Sequence, residues 1–197
     1  MPNKINNIES YNEDKVFKSL DLSNLSFEES SFTNCTFENC TFINSIWRYA
    51  KFYSCIFNCC NINFVKVEGC FLQDVIFNEC KLVGIGFYKC NKIFFSINIK
   101  QSVLLNCNFS DLNMKKASFN KSRIEECYFN NTQLEEADFA DTDLKASTFN
   151  KCKLDKADFR NAKNYIINLQ VNSVKKAKFS YPEIMNLLRS FDIIVDW

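Results

Sequence analysis

Cysteine is the residue type here with the most chemical potential, and the chain of 197 residues carries 11. Cys35 and Cys40, Cys55 and Cys60, and Cys70 and Cys80 look like spaced ligand pairs. Zinc sites usually place Cys pairs two to four residues apart on turns and complete the tetrahedron with His or further Cys. These pairs are wider, and the chain has no histidine, the commonest general base. Adjacent carboxylates occur at Glu125–Glu126 and Glu135–Glu136, but on residues expected to face solvent rather than a cleft. There is no Gly-rich phosphate loop and no GxSxG elbow. The chemistry-bearing residues thus predict no enzyme, no metal, no cofactor and no small-molecule substrate.

What must position these residues is read from the rest of the composition. Phe supplies 21 residues while Gly and Pro together supply 5, which gives ample material for a core and argues against disorder. Lys plus Arg number 24 and Asp plus Glu 23, so a global basic field for direct nucleic-acid binding is not expected. No apolar run reaches the length of a membrane span, and the first residues do not read as a secretory signal. The expected location is the cytoplasm, with the thiols reduced.

A period of five runs through the chain. From Phe17 to Phe87 every fifth residue is large and apolar: Phe17, Leu22, Phe27, Phe32, Phe37 and onward. The next step lands on Lys92. A shift of two restores the pattern from Phe94 to Phe159, and Leu169, Val174 and Phe179 stay on it past the miss at Asn164. On this reading 17 of the 21 Phe lie on the lattice. Two residues before each large one the side chain is small, as at Ser30, Cys35, Cys40, Ala50, Cys55, Ala137 and Cys152. Nine cysteines hold that position, so burial explains them; Cys90 would if the first register ran on, and Cys59 alone is out of place and expected to be exposed. Neither a helix nor a flat strand has period five. A square coil does, if each side points one large and one small residue inward and each coil pairs with the next as parallel strands about 4.8 Å apart. Phe17, Phe37, Phe57 and Phe77 should stack in one column, and Phe119, Phe139, Phe159 and Phe179 in a second.

Segments such as CTFENCTF (35–42), ADFADTDLKASTF (137–149) and CKLDKADF (152–159) resemble the A(D/N)LXX signature of pentapeptide repeat proteins. The resemblance implies an all-β fold, a right-handed quadrilateral parallel β-helix with four repeats per coil, here with a short C-terminal helix and strand. The expected layout is a lead-in at 1–14, a β-helix at 15–179 with a register break at 88–93, and a C-terminal cap and dimerisation segment at 180–197. Both ends, 14–37 and 164–195, resemble Qnr-type quinolone-resistance proteins. That resemblance implies a dimeric, DNA-mimicking rod that binds DNA gyrase or topoisomerase IV. Many such proteins carry two longer loops, of which this chain retains only the short break. The alternative is a structural or protein-interaction rod without topoisomerase activity.

The tail SYPEIMNLLRSFDIIVDW breaks the repeat. Ser180 and Pro182 suit a helix start, and Ile184, Leu187, Leu188 and Phe191 are spaced as one helical face. With Ile193, Val195 and Trp197 they form the expected dimer interface.

Charge supplies the last clue. Residues 125–143 hold seven acids and no base, yet residues 20 apart stack, which sets Lys115 against Glu135 and Lys156 against Glu136. The acids with least neutralisation on this reading are Glu28, Glu29, Glu38, Glu126 and Asp138, the candidates for facing a topoisomerase.

Overall fold

The computed structural model describes residues 3–4, 9–191 and 193 of the chain. A five-residue unit with two inward side chains and one left-handed corner turns the backbone through a right angle. Four units therefore close a coil, and the chain winds through about eight coils. The sides are named here from the inward residues of an early coil: side one from Phe17, side two from Leu22, side three from Phe27 and side four from Phe32.

All strand pairing is parallel, coil to coil. On side one Val16–Lys18, Thr36–Glu38, Ile56–Asn58, Val75–Asn78 and Ile97–Lys100 form one ladder. On side two the ladder reaches from Asn3–Lys4 and Leu20–Asp21 to Arg123–Glu125. Side four begins with Tyr11–Glu13 against Ser31–Thr33, so pairing starts ahead of residue 15. Where strands become too short to name, single bridges continue them, as in Asn113 to Gln133, Lys153 and Ser173.

Corners make the period work. The second residue after each large inward one has a φ near +50 to +60°, for example Asn24, Asn34, Asn44 and Asp141. Its N–H donates to the next coil, as Asn24 does to the Ile43 carbonyl at 2.8 Å. Asn and Asp tolerate this conformation better than most residues, which accounts for their frequency at the corners. Tyr49 and Phe64 also occupy corners, and each lays its ring over a glycine corner of the next coil. A Cβ on Gly69 would lie 2.5 Å from the Tyr49 ring, and one on Gly84 would lie 2.6 Å from that of Phe64.

The core is a set of ring columns. Phe17, Phe37, Phe57 and Phe77 stack at 4.8, 4.7 and 5.0 Å between centroids. Phe119, Phe139, Phe159 and Phe179 stack at 4.9, 4.9 and 5.3 Å. These are not two columns but one. Phe77 pairs with Ile99, and the Ile99 N–H donates to the Ser118 carbonyl, so the line continues through an aliphatic step. Columns facing each other across the core meet edge to face, as between Phe119 on side one and Phe129 on side three at 5.7 Å and 90°. Burying each ring contributes about 2–3 kcal/mol, and edge-to-face pairing adds about 0.5–1.5 kcal/mol.

The small inward residues do more than leave room. Cys40, Cys60 and Cys80 donate S–H to the Phe17, Phe37 and Phe57 carbonyls. The Cys60 N–H donates to the Cys80 sulfur, and the Cys80 N–H donates to the Ser102 hydroxyl. Cys, Ser and Thr thus continue the ladder where the backbone turns the corner, a role their size alone did not suggest.

Two irregularities depart from the five-residue lattice. At the break, Phe94 does not point inward. It takes a left-handed conformation and is 75% exposed, while Phe95 and Ile97 are buried. The two extra residues bulge out of side four after Cys90, so the coil has 22 residues there. The second irregularity is a compensated shift. Thr148 pairs with Ile166, 18 residues on, yet Lys153 bridges Ser173, 20 on. Ile167 therefore takes the inward place opposite Phe149, and Leu169 lies only partly buried beside the core. Tyr165 fills the gap, its ring 5.8 Å from Phe159 and 5.7 Å from Phe179.

Candidate interaction surface

The cysteines are settled by burial. All 11 are free thiols, and Cys59 is the exposed one, with its S–H directed at Glu79. The Cys40 sulfur pulls the Cys60 thiol down, but the Cys80 sulfur and burial outweigh it and push the thiol up to about 12; burial does the same at Cys55. Among the described residues no cluster of three or more metal-ligating side chains occurs.

The candidate acids do not share one face. Glu28 lies on side three and Glu29 at the corner between sides three and four, both exposed. Glu38 and Asp138 lie on side one, five coils apart, and Glu126 is exposed at the corner between sides two and three. Glu38 is also not free, because Lys18 from the preceding coil meets it at 2.8 Å. The spacing of 20 sets Lys18 against Glu38 in the sequence as well.

The acidic stretch 125–143 wraps the rod instead of running along it. Lys115 neutralises Glu135 at 3.2 Å, Lys156 approaches Glu136 at 3.8 Å, and Arg123 turns to Glu125 at 3.5 Å. Among the described residues four of these acids have no base within 4 Å, Asp138, Asp141, Asp143 and Glu126, although Arg160 feels the charges of the first two. Asp138 accepts the Ala140 N–H, and Asp141 accepts the Asn161 amide. Asp143 accepts the Lys145 N–H and the Asn164 amide. In that order they run from side one, over a corner, across side two and onto the next corner. They form an acidic arc around about half the rod. The sequence does not mark Asp141 and Asp143, because the spacing of 20 sets Lys121 and Arg123 against them. Below the arc the sign reverses, since residues 145–178 carry nine bases and two acids. Asp158 there is pulled below the usual carboxylate range by Arg160 at 2.6 Å.

At the C-terminus the expected helical face divides. Glu183–Phe191 is a 3-10 helix rather than an α-helix. Its tighter three-residue turn does not hold Ile184, Leu187, Leu188 and Phe191 in one stripe. Leu187 is buried in the core of its own chain, Leu188 is half-buried, and Ile184, Phe191 and Ile193 are exposed. The Ser180 hydroxyl accepts the Asn161 N–H, and its carbonyl accepts the Ile184 N–H. Val195 and Trp197, and most of the expected terminal strand, lie outside the described residues. Among the described residues no helix is long and apolar enough to cross a membrane.

The five-residue geometry has a counterpart among protein families. The profile described as "Pentapeptide repeat region" matches residues 30–93 and 91–159. The chain belongs to the pentapeptide repeat family. A comparison with curated proteins finds no match. Among solved structures, two trypsin-treated variants of QnrB1, a plasmid-mediated fluoroquinolone resistance protein, share the pentapeptide fold. The first has a TM-score of 0.65 and 16% identity, covering 96% of this chain and 94% of the other. The second has a TM-score of 0.55 and 17% identity, covering 98% and 95%. HetL, a pentapeptide repeat protein involved in heterocyst differentiation regulation from the cyanobacterium Nostoc, has a TM-score of 0.50 and 15% identity, covering 84% and 85%. At such identities the likeness is one of fold.

Proposed function

We propose that this protein is a cytoplasmic binding rod that presents its acidic arc to the basic DNA-binding cleft of a type II topoisomerase, DNA gyrase or topoisomerase IV. The arc of Asp138, Asp141, Asp143 and Glu126 is the observation that carries this reading. A cleft that holds phosphates is lined with bases, so a protein ligand there must offer carboxylates that its own lysines have not neutralised. Ring columns and parallel ladders hold those carboxylates on a stiff frame, with little left to order on binding. The likeness in fold to a fluoroquinolone resistance protein fits this reading. A two-fold dimer through Ile184, Phe191 and Ile193 would join two rods of about 38 Å end to end, near 75 Å in all, a length suited to a DNA saddle.

A second reading is a rod with a different protein partner. The basic stretch 145–178 favours it, because the charge along the axis alternates in sign. A supercoiling assay with and without ciprofloxacin at low salt separates the two. The wild type should inhibit gyrase or rescue it from the drug, and Glu126→Lys with Asp138→Lys should weaken that effect at least about tenfold. A wild type that does neither leaves the second reading standing.

A further inference from the structure

Between the fourth and fifth coils, side four has a gap in its ladder. Elsewhere on this side each coil bonds the next, as where the Gln133 N–H donates to the Leu112 carbonyl and Met114 N–H to the Gln133 carbonyl. The same pattern would join Asn113 N–H to the Cys90 carbonyl, and the carbonyls of Asn113 and Lys115 to N–H groups of the coil above. Among the described residues no backbone hydrogen bond links 91–95 to 113–116. The bulge has lifted its own chain away from the coil below.

What it leaves is a notch of about 310 Å3, lined by Phe95, Ser96 and Ile97 on one wall and Asn113, Met114 and Lys116 on the other. At ~30 Å3 per water it has room for about ten waters. Ile93 and Phe94 project beside it, 64% and 75% exposed. Lys116 lines the notch and Lys92 lies three residues before Phe95 in the bulge, both exposed, with no carboxylate within 4 Å among the described residues. Lys115 is tied to Glu135, and Asp74 across the corner is held by the Ser96 hydroxyl.

We propose that this notch binds an extended, acidic peptide segment of a partner protein by strand addition. The peptide backbone takes the unbonded Asn113 N–H and the carbonyls of Asn113 and Lys115, as an added strand takes a free sheet edge. Alternate side chains then face inward to Phe95 and Met114 or outward to Lys116 and Lys92, so the fitting sequence alternates apolar and acidic residues. The site is separate from the acidic arc and does not depend on the topoisomerase reading.

The test is fluorescence anisotropy of the full chain with a labelled octapeptide of alternating Asp and Val. Two control probes have the same sequence methylated on alternate backbone nitrogens, and Lys in place of Asp. The Asp–Val peptide should bind saturably, with both controls at least about tenfold weaker, a difference of about 1.4 kcal/mol. Lys116→Glu should weaken the Asp–Val peptide about tenfold. Deleting residues 93–94 restores a 20-residue coil, closes the ladder and should abolish binding, with circular dichroism reporting that the rod still folds. Should that deletion unfold, the two control peptides and Lys116→Glu still decide. The proposal is overturned by equal binding of the methylated peptide, by equal binding of the Lys peptide, or by no saturable binding of the Asp–Val peptide at about millimolar concentration.

Discussion

Phe77 lies beside Ile99, 22 residues on, in a column whose other strand-paired neighbours, such as Phe57 and Phe77, are 20 apart. The register slips along the chain yet the column does not, because the surplus is expelled on side four before side one is reached again. Coil-to-coil pairing, not the count of residues, sets where each ring sits.

The ring columns predict where truncation costs most. Phe37 stacks on Phe17 and Phe57 and meets Phe32, Phe42 and Phe52 at an angle. Phe37→Ala should destabilise by about 3–5 kcal/mol in urea denaturation. Phe94→Ala, at an exposed corner, should change stability by less than about 0.5 kcal/mol. Equal losses at the two positions would contradict the ring-column account.

Gly84 has φ +65° and lies under the Phe64 ring. Gly84→Ala meets both a left-handed backbone, costing about 1–2 kcal/mol, and a clash with that ring. Adding Phe64→Ala should remove the clash and leave the backbone cost. A double-mutant cycle should therefore show the pair coupled by more than about 0.5 kcal/mol, and strict additivity would show that the ring yields freely.

The thiols predict both reactivity and an alkaline limit. In the native protein a disulfide-exchange reagent should titrate Cys59 quickly and the buried thiols slowly; after denaturation it should recover all 11. Burial at Cys55, and the Cys80 sulfur together with burial at Cys60, hold these thiols up at about 12 in the folded chain, above the ordinary thiol value they regain on unfolding. Their neutral form is favoured by folding, so stability is fully present below about pH 8.5 and falls as pH rises toward 12. Each such thiol withdraws about 1.4 kcal/mol per pH unit in that window. Tyr165, also raised to about 12 by burial, adds to the loss above about pH 10. Melting temperatures flat from pH 9 to 11 would refute this.

The proposed dimer has a sharper test now that Leu187 is known to serve its own core. Ile184 and Phe191 are the exposed apolar residues of the 3-10 helix. Ile184→Asp with Phe191→Asp should give monomers by light scattering at micromolar concentration while the melting temperature of the rod barely moves. A wild type that is monomeric there ends the end-to-end rod.

Phe at every fifth position and Cys, Ser or Ala two before it were enough to give the square coil, the buried thiols and the pairing of Lys115 with Glu135. Those features follow from a local rule repeated many times, and a repeated rule is legible one residue at a time. Three-dimensional pairing decided the rest. Whether Phe94 or Phe95 turns inward depends on where a two-residue surplus is expelled, and the coils above and below set that. Ile167 rather than Leu169 faces the core because Phe149 must find a partner one coil on. Leu187 is claimed by its own core although three residues per turn set the exposed Ile184 on the same face, so packing against the coil beneath, not helix period alone, divides the expected stripe. The four acids outside close ion pairs are an arc because a chain that bends at every corner carries neighbours in sequence onto different sides, and only the side chains' reach decides which lysine arrives.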